Sequence, residues 1–373
     1  MTIKRGVSLY SYQQTQFLKQ LDLEGQIREV GENLGAEGIE LIDEMSLHYP
    51  DPGHEFIARW HAWMDQYGTR PVALDVGMDV LQFRDHVMTY EECAERLIRD
   101  ISLAKSLGFS IVRVMSIVPI EIIEMALPHA EKLDIKLGKE IHQPMRLEGP
   151  VVAEIVELAQ RTSIDRVGIV PDLGIFQFQL SEAQLKSFGR KGAQQSAQDA
   201  STTLALAIRD GEADFDHTVL FEHTAGNVRA EFNRFLAGNA PSEDLRDPFE
   251  GVRRWADERV EDPQTLDYTV VAEALLFSNT SADKLRELAP YVTHVHAKFN
   301  HMSLVPGTRN QYEDAAIDYP AAIGALKDGG FDGYLNSEYE GQRYWQDLEI
   351  EGLQDEVEQV RRHQSMLRRL IET

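Results

Sequence analysis

The chain has 373 residues, 43% of them hydrophobic, enough to bury a large core as two domains or one large α/β barrel. Lys plus Arg number 37 and Asp plus Glu 62, so the formal net charge of −25 disfavours nucleic acid, anionic membranes and polyanionic substrates lacking a local basic pocket. Cys93 is the sole cysteine, which excludes an internal disulfide and a thiolate zinc site; with no signal-peptide core in "MTIKRGVSLYSYQQ" and no apolar run near the roughly 18–20 residues of a membrane span, a cytoplasmic protein is expected.

Strand-like and helix-like segments alternate along the chain. "RGVSLYSY" (5–12) reads as a strand, and "DLEGQIREVGENLG" (22–35) as a helix closed by glycine. The strand "GIELID" (38–43), the helix "GHEFIARWHAWMDQYG" (53–68) and the strand "PVALDVGM" (71–78) follow. A long helix repeats its apolar residues at Leu97, Ile101, Ala104 and Leu107 before the strand "FSIVRVM" (109–115). The strands "IKLGKEIHQ" (135–143), "RVGIVPDLGIF" (166–176), "VTHVHAKFN" (292–300) and "DGYLNSEYEG" (332–341) bring the count to eight. Eight strand–helix units predict a (β/α)₈ TIM barrel, with an open doubly wound sheet as the alternative.

One interval breaks the rhythm. From about 181 to 263 the chain holds a long polar helix beginning "SEAQLKSFGRKGAQQ", then "HTVLFEHTAGN", then a mixed charged stretch. It reads as an insertion after strand six of a single barrel domain, lying over the barrel top, where loops set specificity. The last segment places Leu353, Val357, Val360, Leu367 and Ile371 on one helical face, interrupted by Gln364.

The strand ends carry the chemistry. Strand five offers Glu140 and His142, strand six Asp172, strand seven His294 and His296, and strand eight Glu338 and Glu340. Residues two apart on a strand share a face, so each pair can point inward at the rim where barrel active sites are built. Taken singly, each is as well explained by a rim ion pair; ionised groups on four strand ends at once are harder to explain without a partner. Carboxylates with one imidazole suit Mn²⁺, Mg²⁺ or Co²⁺, with Zn²⁺ also compatible. Walker, GxGxxG, HExxH and GxSxG patterns are absent from the sequence.

These residues lie in segments that resemble a known superfamily. "AIDYPAAIGALKDGGFDGYLNSEYEG" resembles the closing helix and strand of the xylose-isomerase-like barrels, the sugar phosphate isomerase/epimerase superfamily. "VTHVHAKF", "VPDLGIF" and "LGKEIHQ" resemble its histidine, aspartate and glutamate strands. Carried over residue by residue, the resemblance implies a divalent ion, foremost Mn²⁺, held by Glu140, Asp172, His296 and Glu338. Phe299 departs from the pattern, standing where the superfamily often has Asp. "GVSLYSYQ", "EIHQP" and the acidic insertion together are similar to the large (alpha) subunit of bacterial C-glycoside deglycosidases. That resemblance implies a small β-rich partner subunit, a higher oligomer, and cleavage of the C–C bond between a 3-keto sugar and an aromatic aglycone.

Such chemistry needs a base beside a carbonyl. His142 is the candidate base, its alternative being a core histidine, and Lys298 is the candidate ligand of a substrate oxygen or enolate, its alternative an ion pair. His294, Tyr10 and Glu340 are the candidate substrate-binding residues: His294, a layer below His296, could instead fill or support the site, Glu340 could be a supporting or exposed carboxylate, and Tyr10 offers an aromatic face. His301, past the strand, and Glu222 with His223 in the insertion are weaker candidates. A sugar isomerase or epimerase of the same superfamily and a non-catalytic sugar-binding barrel with a structural metal are the competing expectations.

Overall fold

Alternation along the strands sorts side chains into two environments. Val7, Ile39, Leu41, Leu74, Val112, Leu137, Ile169, Val295 and Leu335 face outward and join one apolar cluster with the surrounding helices. The residues between them face the barrel axis, and there the chain places small or ionisable groups. The computed structural model describes residues 2–162 and 165–373. Its barrel strands are β1 (Lys4–Ser8), β2 (Gly38–Ile42), β3 (Arg70–Val76), β4 (Ile111–Val114), β5 (Lys136–Ile141), β6 (Val167–Pro171) and β7 (Val295–Phe299). An antiparallel hairpin of β8 (Ser303–Leu304) and β9 (Tyr312–Glu313) precedes the last barrel strand, β10 (Tyr334–Tyr339).

Parallel pairing runs in chain order from β1 to β6, and β10 joins β1 to β7. Parallel bridges Ile169–Val292 and Asp172–His296 draw the β6 and β7 edges together. The result is a nearly closed (β/α)₈ barrel, as the strand count predicted. One bridge therefore joins two of the residues implied as metal ligands.

Glycines make room for polar groups inside the barrel. A Cβ on Gly6 would lie 2.1 Å from Asn336 Oδ1 and 2.9 Å from the Gly38 carbonyl oxygen. With the space clear, the Asn336 amide donates to Glu40 Oε2 at 2.7 Å, starting a buried polar layer.

Between β6 and β7 the chain builds a second apolar cluster of its own, including Leu204, Phe232, Phe249, Val252, Val270 and Leu275. The inserted unit runs longer than the 181–263 expected, because helix Thr265–Ala272 and the following turn to Phe277 belong to that cluster. The single long polar helix read at its start is two, Glu182–Arg190 and Gln195–Arg209. Gly192, at a φ of 96°, turns the chain between them. The first of these helices leans on the segment after β10: Gln184 donates to Tyr344 Oη at 3.2 Å, and Arg190 pairs with Asp347 at 2.7 Å. The final helix, Glu356–Glu372, packs on the barrel, and Gln364 stitches rather than breaks its buried face. Its amide donates to Gly6 O and Ser337 Oγ, both at 2.7 Å, and accepts from Arg5 at 2.8 Å.

Candidate metal centre and active site

The strand register brings the implied ligands together at the C-terminal mouth. Single ligand atoms of Glu140, Asp172 and His296 lie within 4.8 Å of one another. Glu338 Oε2 and Glu140 Oε1 each stand 3.3 Å from His296 Nδ1. All four side chains are buried. Asp172 Oδ2 and His296 Nδ1 make no hydrogen bond and meet charged neighbours instead, Lys298 Nζ at 3.5 Å and the two carboxylates at 3.3 Å, a costly state for buried polar atoms without a ligand. Three carboxylates and one imidazole, two of them presenting atoms without a hydrogen bond, fit a hard divalent cation.

Charge supports the same fit. Five buried carboxyl groups, Glu40, Asp75, Glu140, Asp172 and Glu338, and the partly buried Glu340 share the interior and mouth, where Arg113, Lys298, Arg343 and the imidazole of His296 pair with them. Burial opposes ionisation of Glu140, but Arg113 and His296 outweigh it and hold the carboxyl far below its usual range. Burial and the Glu40 charge push Asp75 well up. His296 resists burial because Glu338 and Glu40 flank it, and its pKa rises well above normal. A divalent ion would relieve this crowding directly.

Below the rim lies a layer of which the sequence pointed to His294 alone. Glu40 places one oxygen 2.9 Å from His294 Nε2 and the other 2.9 Å from His296 Nε2. It fixes the side of the His296 ring opposite the cluster, leaving Nδ1 for the mouth, as carboxylates behind metal-bound histidines do. His294 is fully buried in this layer, consistent with support rather than substrate contact. Glu40, Asp75, His294 and His296 also have ligand atoms within 4.8 Å, but both Glu40 oxygens already face nitrogen groups. Arg113 donates to Glu140 Oε1 at 2.8 Å and lies 3.9 Å from Asp75. The missed trio was visible as lone charged residues at inward parity in "GIELI", "PVALDV" and "IVRV".

At the rim, His142, Lys298 and Glu340 form one network. Lys298 Nζ donates to His142 Nε2 and to Glu340, each at 2.6 Å, and stands 3.5 Å from Asp172. His142 Nδ1 donates to the Gln143 carbonyl oxygen at 2.9 Å, so Nε2 carries the lone pair. Burial disfavours charged Lys298, but Asp172 and Glu340 outweigh it and hold the ammonium well above its ordinary pKa. Burial likewise opposes ionised Glu340, yet Lys298 and Arg343 draw its pKa down to about 2. Tyr10 closes the wall, accepting from Arg343 Nη2 at 3.1 Å. A cavity of about 400 Å³ joins Tyr10, Asp75, Arg113, Glu140, His142, Asp172, Glu338 and Glu340, with Ile42, Met45 and Met115 as its apolar side.

Other candidates fall away from this cavity. His301 faces the insertion, 3.6 Å from Glu182. His223 pairs with Asp244 at 3.0 Å within the inserted unit, and the Glu222 side chain lies outside the described residues. Phe299 stacks on His363 at 4.0 Å on the outer face of β7, so that position adds no carboxylate behind the site.

Two comparisons place the chain. In fold it is similar to D-psicose 3-epimerases. A structure solved in the presence of D-fructose covers 100% of both chains at a TM-score of 0.51 and 12% identity. Another, from Clostridium cellulolyticum H10 with D-tagatose, covers 100% of both at 0.52 and 12% identity. At such identity the likeness is one of fold alone: the chain shares the barrel fold of these epimerases.

In sequence the chain is similar to C-glycoside deglycosidase alpha subunits. One from Arthrobacter globiformis is 27% identical over 377 residues, covering 99% of this chain and 93% of that one. The 3'-dehydrocarminate deglycosidase alpha subunit of a Microbacterium species is 26% identical over 338 residues, covering 90% and 88%. No family model matches the chain. Both sets of relatives are enzymes, and this chain is likewise an enzyme.

Proposed function

We propose that this chain cleaves the C–C bond between a 3-keto sugar and an aromatic aglycone, using a divalent metal, foremost Mn²⁺, at the barrel mouth. The observation that carries the proposal is that Glu140, Asp172 and Glu338 line one cavity with His142 and Glu340, while His296 and Lys298 contact these residues from the strand beside it. Glu140, Asp172, His296 and Glu338 would hold the ion. When bound, it supplies Lewis acidity to the sugar's carbonyl or neighbouring oxygens and stabilises the enediolate.

The chain's own residues move the proton. The C3 ketone acidifies the C2 proton, and His142 Nε2 removes it once Lys298 turns from the imidazole to the developing enolate oxygen. Glu340 keeps Lys298 at the rim. The electron pair from C2–H forms the C1=C2 bond as the C1–aryl bond breaks, and the aglycone carbon takes up one proton. Substrate thus divides into an unsaturated keto sugar and a free arene, with no net redox change. The relatives named as alpha subunits support a second, beta subunit as partner for this chain; a small β-rich form for it and a larger assembly are part of the proposal.

The test is incubation of a 3-oxo C-glucoside in deuterium oxide with Mn²⁺ and the partner subunit. Release of free aglycone, followed by chromatography, is the expected result. Deuterium at the carbonyl-adjacent carbon without aglycone would instead make the chain an isomerase or epimerase. Neither event would leave a sugar-binding barrel with a structural metal.

A further inference from the structure

His142 is held from two sides: its Nε2 accepts from Lys298, and its Nδ1 donates to the Gln143 carbonyl oxygen. Gln143 lies past the end of β5, so the second bond orients the ring only if Gln143 is itself fixed. A chain of side chains fixes it. Gln143 Nε2 donates to Gln177 Oε1 at 3.3 Å, Gln177 Nε2 to Gln184 Oε1 at 2.9 Å, and Gln184 Nε2 to Tyr344 Oη at 3.2 Å.

The backbone sets the direction of this chain. Gln184 forms a capping box with Ser181 at the start of helix Glu182–Arg190, and the Ser181 N–H donates to Gln184 Oε1 at 2.8 Å. That bond identifies the oxygen end of the Gln184 amide and leaves Nε2 for Tyr344. Gln177 meets the same oxygen with its Nε2, which also donates to the Gln179 carbonyl oxygen at 2.8 Å, so its own Oε1 is left for Gln143. Gln177 and Gln184 are only 2% and 6% exposed, and bulk water does not replace a partner lost there.

The contacts close into a ring. Tyr344 ends the turn Gly341–Tyr344 that follows Glu340, Glu340 pairs with Lys298, and Lys298 donates back to His142. Of the side chains in this ring, Gln184 alone belongs to the inserted unit. We infer that Gln184 is a positioning residue for His142, through which the inserted unit holds Gln143 and keeps the imidazole turned with Nε2 toward the substrate. This rests on His142 as the base of the cleavage proposed above. Buried amides suit the task, because one arrangement alone satisfies every partner in the chain. The insertion thereby gains a part in the reaction without touching substrate.

The test compares three variants of the full-length protein. Gln184→Leu breaks the chain. Gln184→Glu keeps an oxygen for Gln177 and the Ser181 N–H and can accept from Tyr344. Ser181→Ala removes only the hydroxyl that caps the helix. With Mn²⁺, the partner subunit and a 3-oxo C-glucoside, Gln184→Leu should lower kcat for aglycone release about 10- to 100-fold, with KM within about twofold. Gln184→Glu and Ser181→Ala should stay within about threefold of wild type. Nitrogen-15 NMR of the substrate-free, Mg²⁺-loaded protein gives a second reading, with the His142 signal assigned by its loss in His142→Asn. Wild type should show the Nδ1–H tautomer, and Gln184→Leu a mixture of both.

Equal losses in Gln184→Leu and Ser181→Ala would overturn the inference, since loosening of the inserted helix would then explain both. An unchanged His142 tautomer in folded Gln184→Leu would overturn it too. If Gln184→Leu does not fold, Tyr344→Phe, which removes a single hydroxyl, faces the same tautomer criterion. A wild type that neither releases aglycone nor takes up deuterium refutes the cleavage reading, and the tautomer comparison then decides the positioning role by itself.

Discussion

A cleft of about 590 Å³ in the inserted unit, between helices 195–209 and 246–259, is larger than the 400 Å³ cavity at the barrel mouth. The contrast lies in what surrounds each. The cleft is lined by Ala200, Ala207, Leu206, Thr203 and Trp255 with a few charges at its edge, above an ordinary apolar core. The barrel mouth instead buries ionisable groups from seven strands or their ends, Glu40, Asp75, Arg113, Glu140, Asp172, His296 and Glu338. Burying charge is costly, so its concentration, rather than the volume of a cavity, marks the place where the fold has been shaped for chemistry.

The two regions should respond oppositely to substitution. The largest effect is expected from Lys298→Met, which removes the cation linking His142, Asp172 and Glu340. Aglycone release should fall about 10²- to 10⁴-fold with metal still bound, as measured by chromatography and elemental analysis. Activity within tenfold of wild type would remove Lys298 from the reaction.

Glu40→Gln tests the layer beneath. Losing the charge that fixes His296 should weaken metal affinity about 10- to 100-fold in chelator competition. Unchanged affinity would reduce Glu40 to a packing residue.

In the inserted unit, Phe249→Ala should cost about 3–5 kcal/mol by opening a cavity against Phe232 and Val252. An early unfolding step in calorimetry, with metal retained, is the expected outcome. If metal is lost together with that step, the two regions are not separable.

The smallest effect concerns Asp43, buried just past β2 with one oxygen unpartnered. Burial raises its pKa from 3.8 to about 7. The folded chain therefore keeps a proton that the unfolded chain releases between those values, and stability falls as pH rises through that window. Asp43→Asn removes this dependence, so its melting temperature should gain on wild type more at pH 8 than at pH 4. A pH-independent difference would contradict the raised pKa.

Much of this was legible in the sequence because a barrel strand writes its two faces in alternate letters. "VHAKF" shows the outward apolar and inward ionisable residues directly, and "LGKEIH" does so apart from Lys139, which shares the outward face with Leu137 and Ile141. Glu40, Asp75 and Arg113 obey the same parity, but they lie on strands whose ends carry no paired site residues, and their convergence on His296 exists only once the barrel closes. The insertion was harder. Its helices bury small residues such as Ala197, Ala200 and Ala205 on otherwise polar surfaces, so a break at Lys191–Gln194 left little trace beyond Gly192. Gln364 looked like a flaw in an apolar stripe because its partners, Gly6 and Ser337, are remote in sequence.

The most direct test of the metal centre is elemental mass spectrometry on purified wild type and Glu338→Ala. About one divalent ion per chain in wild type, lost in the variant, is the predicted result. A wild type that carries no metal and takes up none when offered Mn²⁺ would contradict it, leaving a charged barrel mouth without the metal on which the proposed cleavage depends.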